Sequence, residues 1–210
     1  PAEVMQGVYA NVDHVVLGNH DAALCGKMDT SLFTSQAARM IEWTKSHVSK
    51  DAVTFLSDLP LSLKGDAFRC VHGDFSEPEA FHYVISPEDA RASWEHVHEP
   101  LLFIGHSHQP TIFLLGESGI PRMVAPQDFT LEEHKRYIVN VGSVGEPRDG
   151  LIRASYCIYD VDRSSVFWRS VPFDLDAYKQ AMTRAGLSPE ISQFLACDPR
   201  QGTPPLRTLL

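Results

Sequence analysis

No apolar run in this 210-residue sequence approaches the roughly eighteen residues that a membrane-spanning helix needs. The opening Pro-Ala-Glu-Val-Met-Gln lacks the basic-then-apolar layout of a secretory signal. There is no Cys-x-x-Cys either. Cys25, Cys70, Cys157 and Cys197 stand far apart, which argues against a zinc ribbon and against a dense disulfide scaffold. A soluble, cytoplasmic protein is the expectation, with no membrane partner. Positive charge is also scarce: 18 Lys and Arg against 27 Asp and Glu leave a net charge of -9. Such a balance disfavours extended contact with a nucleic-acid backbone. No glycine-rich stretch ends in Gly-Lys-Ser/Thr, so a kinase-type phosphate cradle is excluded. No internal repeat or low-complexity tract is found.

What is present has the balance of a globular chain, 43% hydrophobic and 21% charged. The length suits one core with terminal decoration. The expected division is a domain over residues 1–173, with residues 174–210 forming a helical extension and tail packed on it. If an acidic protein is to bind a small phosphate ester, something local must supply positive charge. Bound metal ions are the economical candidate, and the ten histidines point the same way.

Short apolar runs ending at glycine or histidine recur: His14 to Gly18, Phe68 to His72, Leu101 to Gly105 and Tyr137 to Gly142. They read as buried strands. Ser155 to Asp160 and Ser165 to Arg169 read as a hairpin about Asp162-Arg163, and Leu61 to Val71 as two strands about Gly65-Asp66. Helical spacing covers about residues 31 to 48, with Thr30 or Asp29 as cap. Ser86-Pro87 opens a second helix through Trp94, and a third lies near residues 176 to 185. The tail from Asp198 has the composition of a loose terminus. Strands and helices mix, which predicts an α/β (α+β) protein with mixed sheets.

The residues able to do chemistry sit just past these strands, where open α/β folds gather their ligand loops. Asn19, His20 and Asp21 offer an amide oxygen, an imidazole and a carboxylate in succession. His72 ends another strand. His106 and His108 are two apart, so on an extended chain they point to one side and Ser107 to the other. Imidazole, amide and carboxylate oxygen suit zinc, manganese or iron better than calcium. His96 and His98 share the same spacing, but on a predicted helix they diverge and read as surface residues. His47 and His134 read as solvated, whereas His14 and His82 are expected in or near the core. Ser107 lacks the final glycine of a Gly-x-Ser-x-Gly elbow, which argues against a serine hydrolase. Phe33, Ile41, Phe167 and Trp168 read as ordinary core or edge residues.

Gly18-Asn19-His20-Asp21, Val71-His72-Gly73, Gly105-His106-Ser107-His108 and the stretch Val139 to Gly150 together resemble the calcineurin-like metallophosphoesterase family, in particular its small bacterial branch of phosphodiesterases. The resemblance implies a four-layer α/β/β/α sandwich with two mixed β-sheets. It also implies hydrolysis of phosphate mono- or diesters at two divalent metal ions, about 3.5 to 4 Å apart, that hold a hydroxide for in-line attack. Carried over, it makes Asn19, His72 and His106 ligands of one metal and His108 a ligand of the other. His20 becomes the acid at the leaving-group oxygen, with Asp21 orienting it. Arg148, in the loop after the Val139 strand, is the candidate for gripping a phosphate oxygen, or for merely pairing with Glu146 or Asp149. The substrate stays open among nucleotides, cyclic dinucleotides, phosphoproteins and other esters, as do metal identity and oligomeric state.

The family also uses an Asp-x-His and a Gly-Asp motif before the Asn-His-Asp motif, and neither is found there. The expectation is that a segment of about thirty residues or more precedes this chain and carries them. Gly65-Asp66 and Gly73-Asp74 match the dipeptide but come too late in the order. Two other readings stand beside hydrolysis. One is a metal-free scaffold or regulatory module of the same fold; the other is a structural zinc site, weaker because structural zinc prefers cysteine.

Overall fold

Three apolar runs, Phe68–Val71, Leu101–Ile104 and Arg136–Asn140, lie side by side as parallel strands in the computed structural model, which describes residues 1–187. The expected loose tail and Cys197 lie outside the described residues. In chain order the first half holds α1 (Ala2–Asn11), α2 (Asn19–Leu24), α3 (Ser35–Lys45), α4 (Lys50–Asp58), β1 (Ser62–Lys64), β2 (Phe68–Val71) and α5 (Pro87–His96). Then come β3 (Leu101–Ile104), β4 (Thr111–Leu115), β5 (Pro121–Val124), β6 (Phe129–Thr130), β7 (Arg136–Asn140), β8 (Arg153–Asp160), β9 (Ser165–Pro172) and α6 (Leu175–Arg184).

Two sheets are present, as expected. The first is mixed and six-stranded, in the order β1-β2-β3-β7-β4-β5. In the second, β6-β9-β8, the three described strands are all antiparallel rather than mixed, because a tight hairpin joins β8 to β9 and β6 joins the far side of β9. Side-chain alternation along the strands builds the layers. Leu102, Ile104, Phe113 and Ile138 face Ala90, Trp94 and Val97 in and after α5. Leu101, Ile112, Tyr137 and Val139 turn the other way and meet Val166, Cys157 and Tyr159 of the second sheet. Burying each such aliphatic side chain contributes about 1.5–3 kcal/mol.

The α5 start follows its sequence signals. Ser86 Oγ accepts from Asp89 N at 3.2 Å, and the Asp89 carboxylate accepts from Ser86 N at 2.9 Å. Its end is held by Arg136, whose Nη1 donates to Trp94 O at 2.9 Å and whose Nη2 donates to Val97 O. The helix expected from residue 31 starts later: Thr34 caps α3, while Asp29 caps a separate 3-10 turn, Thr30–Leu32. The run His14 to Gly18 is not a strand. Among the described residues its one backbone tie to another segment is Leu17 N to Pro60 O at 2.8 Å, so it crosses to α2 extended but without a ladder. Helices α1 and α4 are additions to the expected elements; α1 buries no residue and α4 only Leu56. His14 is exposed rather than near the core. Helix α6 is tied back to α3 by Trp43 Nε1 donating to Ala185 O at 3.1 Å.

Glu99, whose side chain is 14% exposed, bridges two strands by accepting from Arg69 Nε at 2.8 Å with Lys64 Nζ at 3.5 Å. Burial pushes its carboxyl up, but the Arg69 hydrogen bond and the neighbouring positive charges outweigh this and hold it at about 2. A depressed carboxyl adds stability above its ordinary value, 4.5, and that stability is lost as pH falls through the folded value. Glu99→Gln should therefore be less stable than the unaltered chain at neutral pH, with the gap narrowing between about pH 4.5 and about pH 2. Urea unfolding across that window measures it.

Candidate active site

Parallel strands deliver their C-terminal ends to the same edge of a sheet, and here those ends carry the candidate residues. His72 directly follows β2. Gly105 and His106 follow β3, with Gly105 N donating to His72 O at 2.9 Å. The first turn of α2 brings Asn19, His20 and Asp21 to the same edge. Gly18 permits the approach: a Cβ there would lie 3.2 Å from the His72 ring.

Three donor atoms converge at this point. His72 Nε2 lies 3.0 Å from Asn19 Oδ1 and 3.1 Å from His106 Nδ1. Burial, then the charge of His20, lowers His72 to about 4; burial, then His72, lowers His106 to about 3. Both rings are therefore neutral at pH 7, with lone pairs available. Between them His72 Nε2 can place one proton on at most one of its two acceptor neighbours. A divalent cation would engage all three atoms, so the donor set fits a metal of the zinc, manganese or iron type. Among the described residues no group of three His, Cys, Asp or Glu side chains gathers in this way, and the cluster depends on the Asn19 amide.

The Gly-His-Ser-His segment does not stay extended as expected. His106 and His108 both adopt the left-handed conformation, with φ of 64° and 59°, which non-glycine residues take only when their surroundings enforce it. Asn140, at the end of β7 and 1% exposed, does much of the enforcing. Its Nδ2 donates to Gly105 O at 2.7 Å and Ser107 Oγ at 2.9 Å, and its Oδ1 accepts from Gly142 N at 3.0 Å. His108 consequently points elsewhere than His106: its Nδ1 donates to the Glu146 carbonyl at 2.8 Å. A carbonyl only accepts, so the neutral ring carries its proton on Nδ1 and leaves Nε2 bare, the usual preparation of a ligand histidine. Burial and then Arg148 lower His108 to about 4.

His20 lies on the wall of a cavity of about 920 Å³ that also reaches Asn19, Asp21, His106, Glu146 and Arg148. Burial and then Arg148 lower its pKa. Asp21 does not orient His20 as expected. Successive helical residues diverge, and the Asp21 carboxylate instead accepts from Gly18 N at 3.1 Å, capping α2. Arg148 pairs with Glu146, Nη2 to Oε2 at 3.6 Å, and its charge is felt by His20, His106 and His108. Asp149 pairs with Arg153 instead, at 3.1 Å. His82, expected near the core, is 55% exposed on the cavity wall, 3.8 Å from the buried Asp74. His96 and His98 are exposed, as expected.

Asn140, Phe33 and Tyr83 acquire places here that sequence reasoning did not assign, and Glu146, expected only as a partner of Arg148, also accepts from His108. Asn140 carried a signal, a polar residue inside an otherwise apolar strand. Tyr83, stacked on His106 with ring centroids 3.8 Å apart, carried none.

Residues 2–164 match the calcineurin-like phosphoesterase superfamily domain. The chain belongs to that superfamily. Its members generally use divalent metal ions, which agrees with the convergent donor set. A crystal structure of a metallophosphoesterase from Sphaerobacter thermophilus superposes with a TM-score of 0.80 at 28% identity, covering 93% of this chain and 81% of that one. A hypothetical protein from Pyrococcus horikoshii shares the fold at a TM-score of 0.70 and 17% identity, over 92% of this chain and 77% of that one. An uncharacterized protein of Methanocaldococcus jannaschii is 36% identical over 149 residues, 69% of this chain. The calcineurin-like chain described here spans 59% of the length of that relative. Among its described residues no helix is long and apolar enough to cross a membrane.

Proposed function

We propose that this chain hydrolyses phosphate esters with two divalent metal ions, manganese, iron or zinc, held through Asn19, His72, His106 and His108. The approach of His72 Nε2 to Asn19 Oδ1 at 3.0 Å and to His106 Nδ1 at 3.1 Å, beside a cavity, carries the reading. When bound, the metal ions supply Lewis acidity that activates water and offsets charge at phosphorus.

The chain's own side chains do the rest. His106 and His108 are held in place by the Asn140 and Glu146 hydrogen bonds, so little reorganisation accompanies binding. His20 delivers a proton to the leaving-group oxygen. Its lowered pKa makes the imidazolium a readier donor, and an incoming phosphate anion favours the charged form that must do the donating. Arg148 grips a phosphate oxygen once the anion competes with Glu146. The proposed substrate is a small phosphate ester, a nucleotide being one candidate, in the cytoplasm, where the free Cys25, Cys70 and Cys157 would stay reduced. Residues 1–173 would form the catalytic domain and the segment from 174 its extension.

A second reading, a fold that keeps the site without turnover, draws on the lack of a carboxylate in the donor cluster among the described residues. Treating the purified chain with a chelator and then restoring manganese, iron or zinc separates the two. On the proposal, hydrolysis of nitrophenyl mono- and diesters falls to background and returns with metal. Hydrolysis unaffected by the chelator, or absent with every metal, sinks it.

A further inference from the structure

Beyond His20 the cavity changes character. Leu24, Met28, Phe33 and Met40 of the α2–α3 region, together with Phe81 and Tyr83, give the cavity an apolar and aromatic lining. Three of the rings touch the site histidines themselves. Phe33 meets His20 edge-on with centroids 5.1 Å apart, Phe81 meets His72 at 5.9 Å, and Tyr83 stacks on His106 at 3.8 Å. Phe81 is held rigidly: it has φ of 53° and backs onto Gly73, where an added Cβ would come within 3.0 Å of its Cα. Phe33 is half-buried and faces the open volume.

Charge narrows the occupant further. Among the described lining residues Arg148 carries the only permanent positive charge, against the carboxylates of Asp21, Asp89 and Glu146. Once the metal ions and Arg148 have taken one phosphoryl group, this lining offers no further cation, so additional anionic groups of a polyphosphate or a phosphoprotein segment would meet carboxylates instead. The uncharged Thr34, Gln36 and Thr44 leave hydrogen-bonding capacity on the wall.

We infer that this lobe is a leaving-group subsite for a phosphate ester with one phosphoryl group and an uncharged, ring-bearing alcohol, and that Phe33 is its main specificity-determining residue. This rests on the phosphoesterase reading, because His20 is there the donor to the leaving-group oxygen and Phe33 lies against His20. The whole cavity, site and lobe together, holds about 920 Å³, of the size that encloses small organic ligands. Aryl alcohols and nucleosides share this chemistry.

The test uses the full chain loaded with manganese. Binding of benzylphosphonate and ethylphosphonate, which cannot be hydrolysed at an ester bond, is measured by calorimetry, and turnover of benzyl and ethyl phosphate alongside. The two alcohols are similarly poor leaving groups, so a difference reports the subsite. Benzyl should be preferred by about tenfold in binding and in kcat/KM, the order of one good aromatic contact. Phe33→Ala should collapse the ratio to about one, and Ala37→Phe, which fills the lobe from α3, should do the same if the first variant folds poorly. A ratio near one in the unaltered chain, or one insensitive to both substitutions, overturns the subsite. Phosphonate preference supports the subsite whether or not the esters turn over, and nitrophenyl mono- and diester hydrolysis absent with every metal sinks the hydrolase alone; turnover without preference sinks the subsite alone. A nucleoside monophosphate added to the series tells a nucleoside occupant from an aryl one.

Discussion

Alanine at His106 should remove metal and activity together, whereas alanine at His20 should remove activity and leave the metal. His106 Nδ1 is one of three convergent donor atoms, and its ring is kept neutral and ready to coordinate by burial. Losing an outer partner of a ligand already costs about 10–100-fold in metal affinity, so losing the ligand itself should cost at least about 100-fold. His108→Ala should behave similarly, since its bare Nε2 is the feature that the Glu146 carbonyl preserves. His20 is different. Among the described residues no hydrogen bond joins it to a donor atom, and as a general acid its removal should lower turnover by about 10²–10⁴-fold. Elemental analysis of the purified variants beside their turnover decides the matter. Metal loss in His20→Ala with retention in His106→Ala would overturn the role assignments.

The second large effect is expected at a residue that touches neither metal nor substrate. Asn140→Ala strips Gly142 N of its acceptor and takes one of two donors from both Gly105 O and Ser107 Oγ, which keep Ser107 N and Gln109 N in the buried loop. An unsatisfied buried polar group costs about 1–3 kcal/mol, and with one donor orphaned and two acceptors weakened the loss should be about 2 kcal/mol in urea unfolding. The same loss frees His106 and His108 from left-handed conformations they would not otherwise hold. Metal affinity should therefore fall by about tenfold or more, since outer partners of ligands matter at that level. Ile138→Ala, a fully buried core change of comparable expected cost, about 2–5 kcal/mol, serves as control. It should weaken the fold without weakening metal binding under conditions where both variants remain folded. Equal metal affinity in the two variants would reduce Asn140 to a structural residue.

Much of this site was legible because strand ends are legible. Apolar runs closing on Gly or His marked where β2 and β3 stop, and α/β topology gathers such ends on one edge whatever the rest of the chain does. The β8–β9 hairpin and the Ser86 cap were equally plain, being local chemistry. The His14 to Gly18 run misled because a strand is defined by its neighbours, and a sequence does not display which backbone groups will face it. Asp21 misled because its role depended on whether Asn19, His20 and Asp21 were extended or helical; α2 turns the carboxylate back to Gly18.

From the sequence alone came the family resemblance, the donor types and their order along the chain, since residue chemistry and strand-end spacing are written in one dimension. The tertiary structure decided which lone pairs meet and what encloses them. The 3.0 Å meeting of Asn19 with His72, the turned-in histidines after β3 and the rings of Phe33 and Tyr83 against the site histidines join segments up to tens of residues apart. Only packing, which buries those segments against one another and satisfies their polar groups through Asn140 and Glu146, sets such distances.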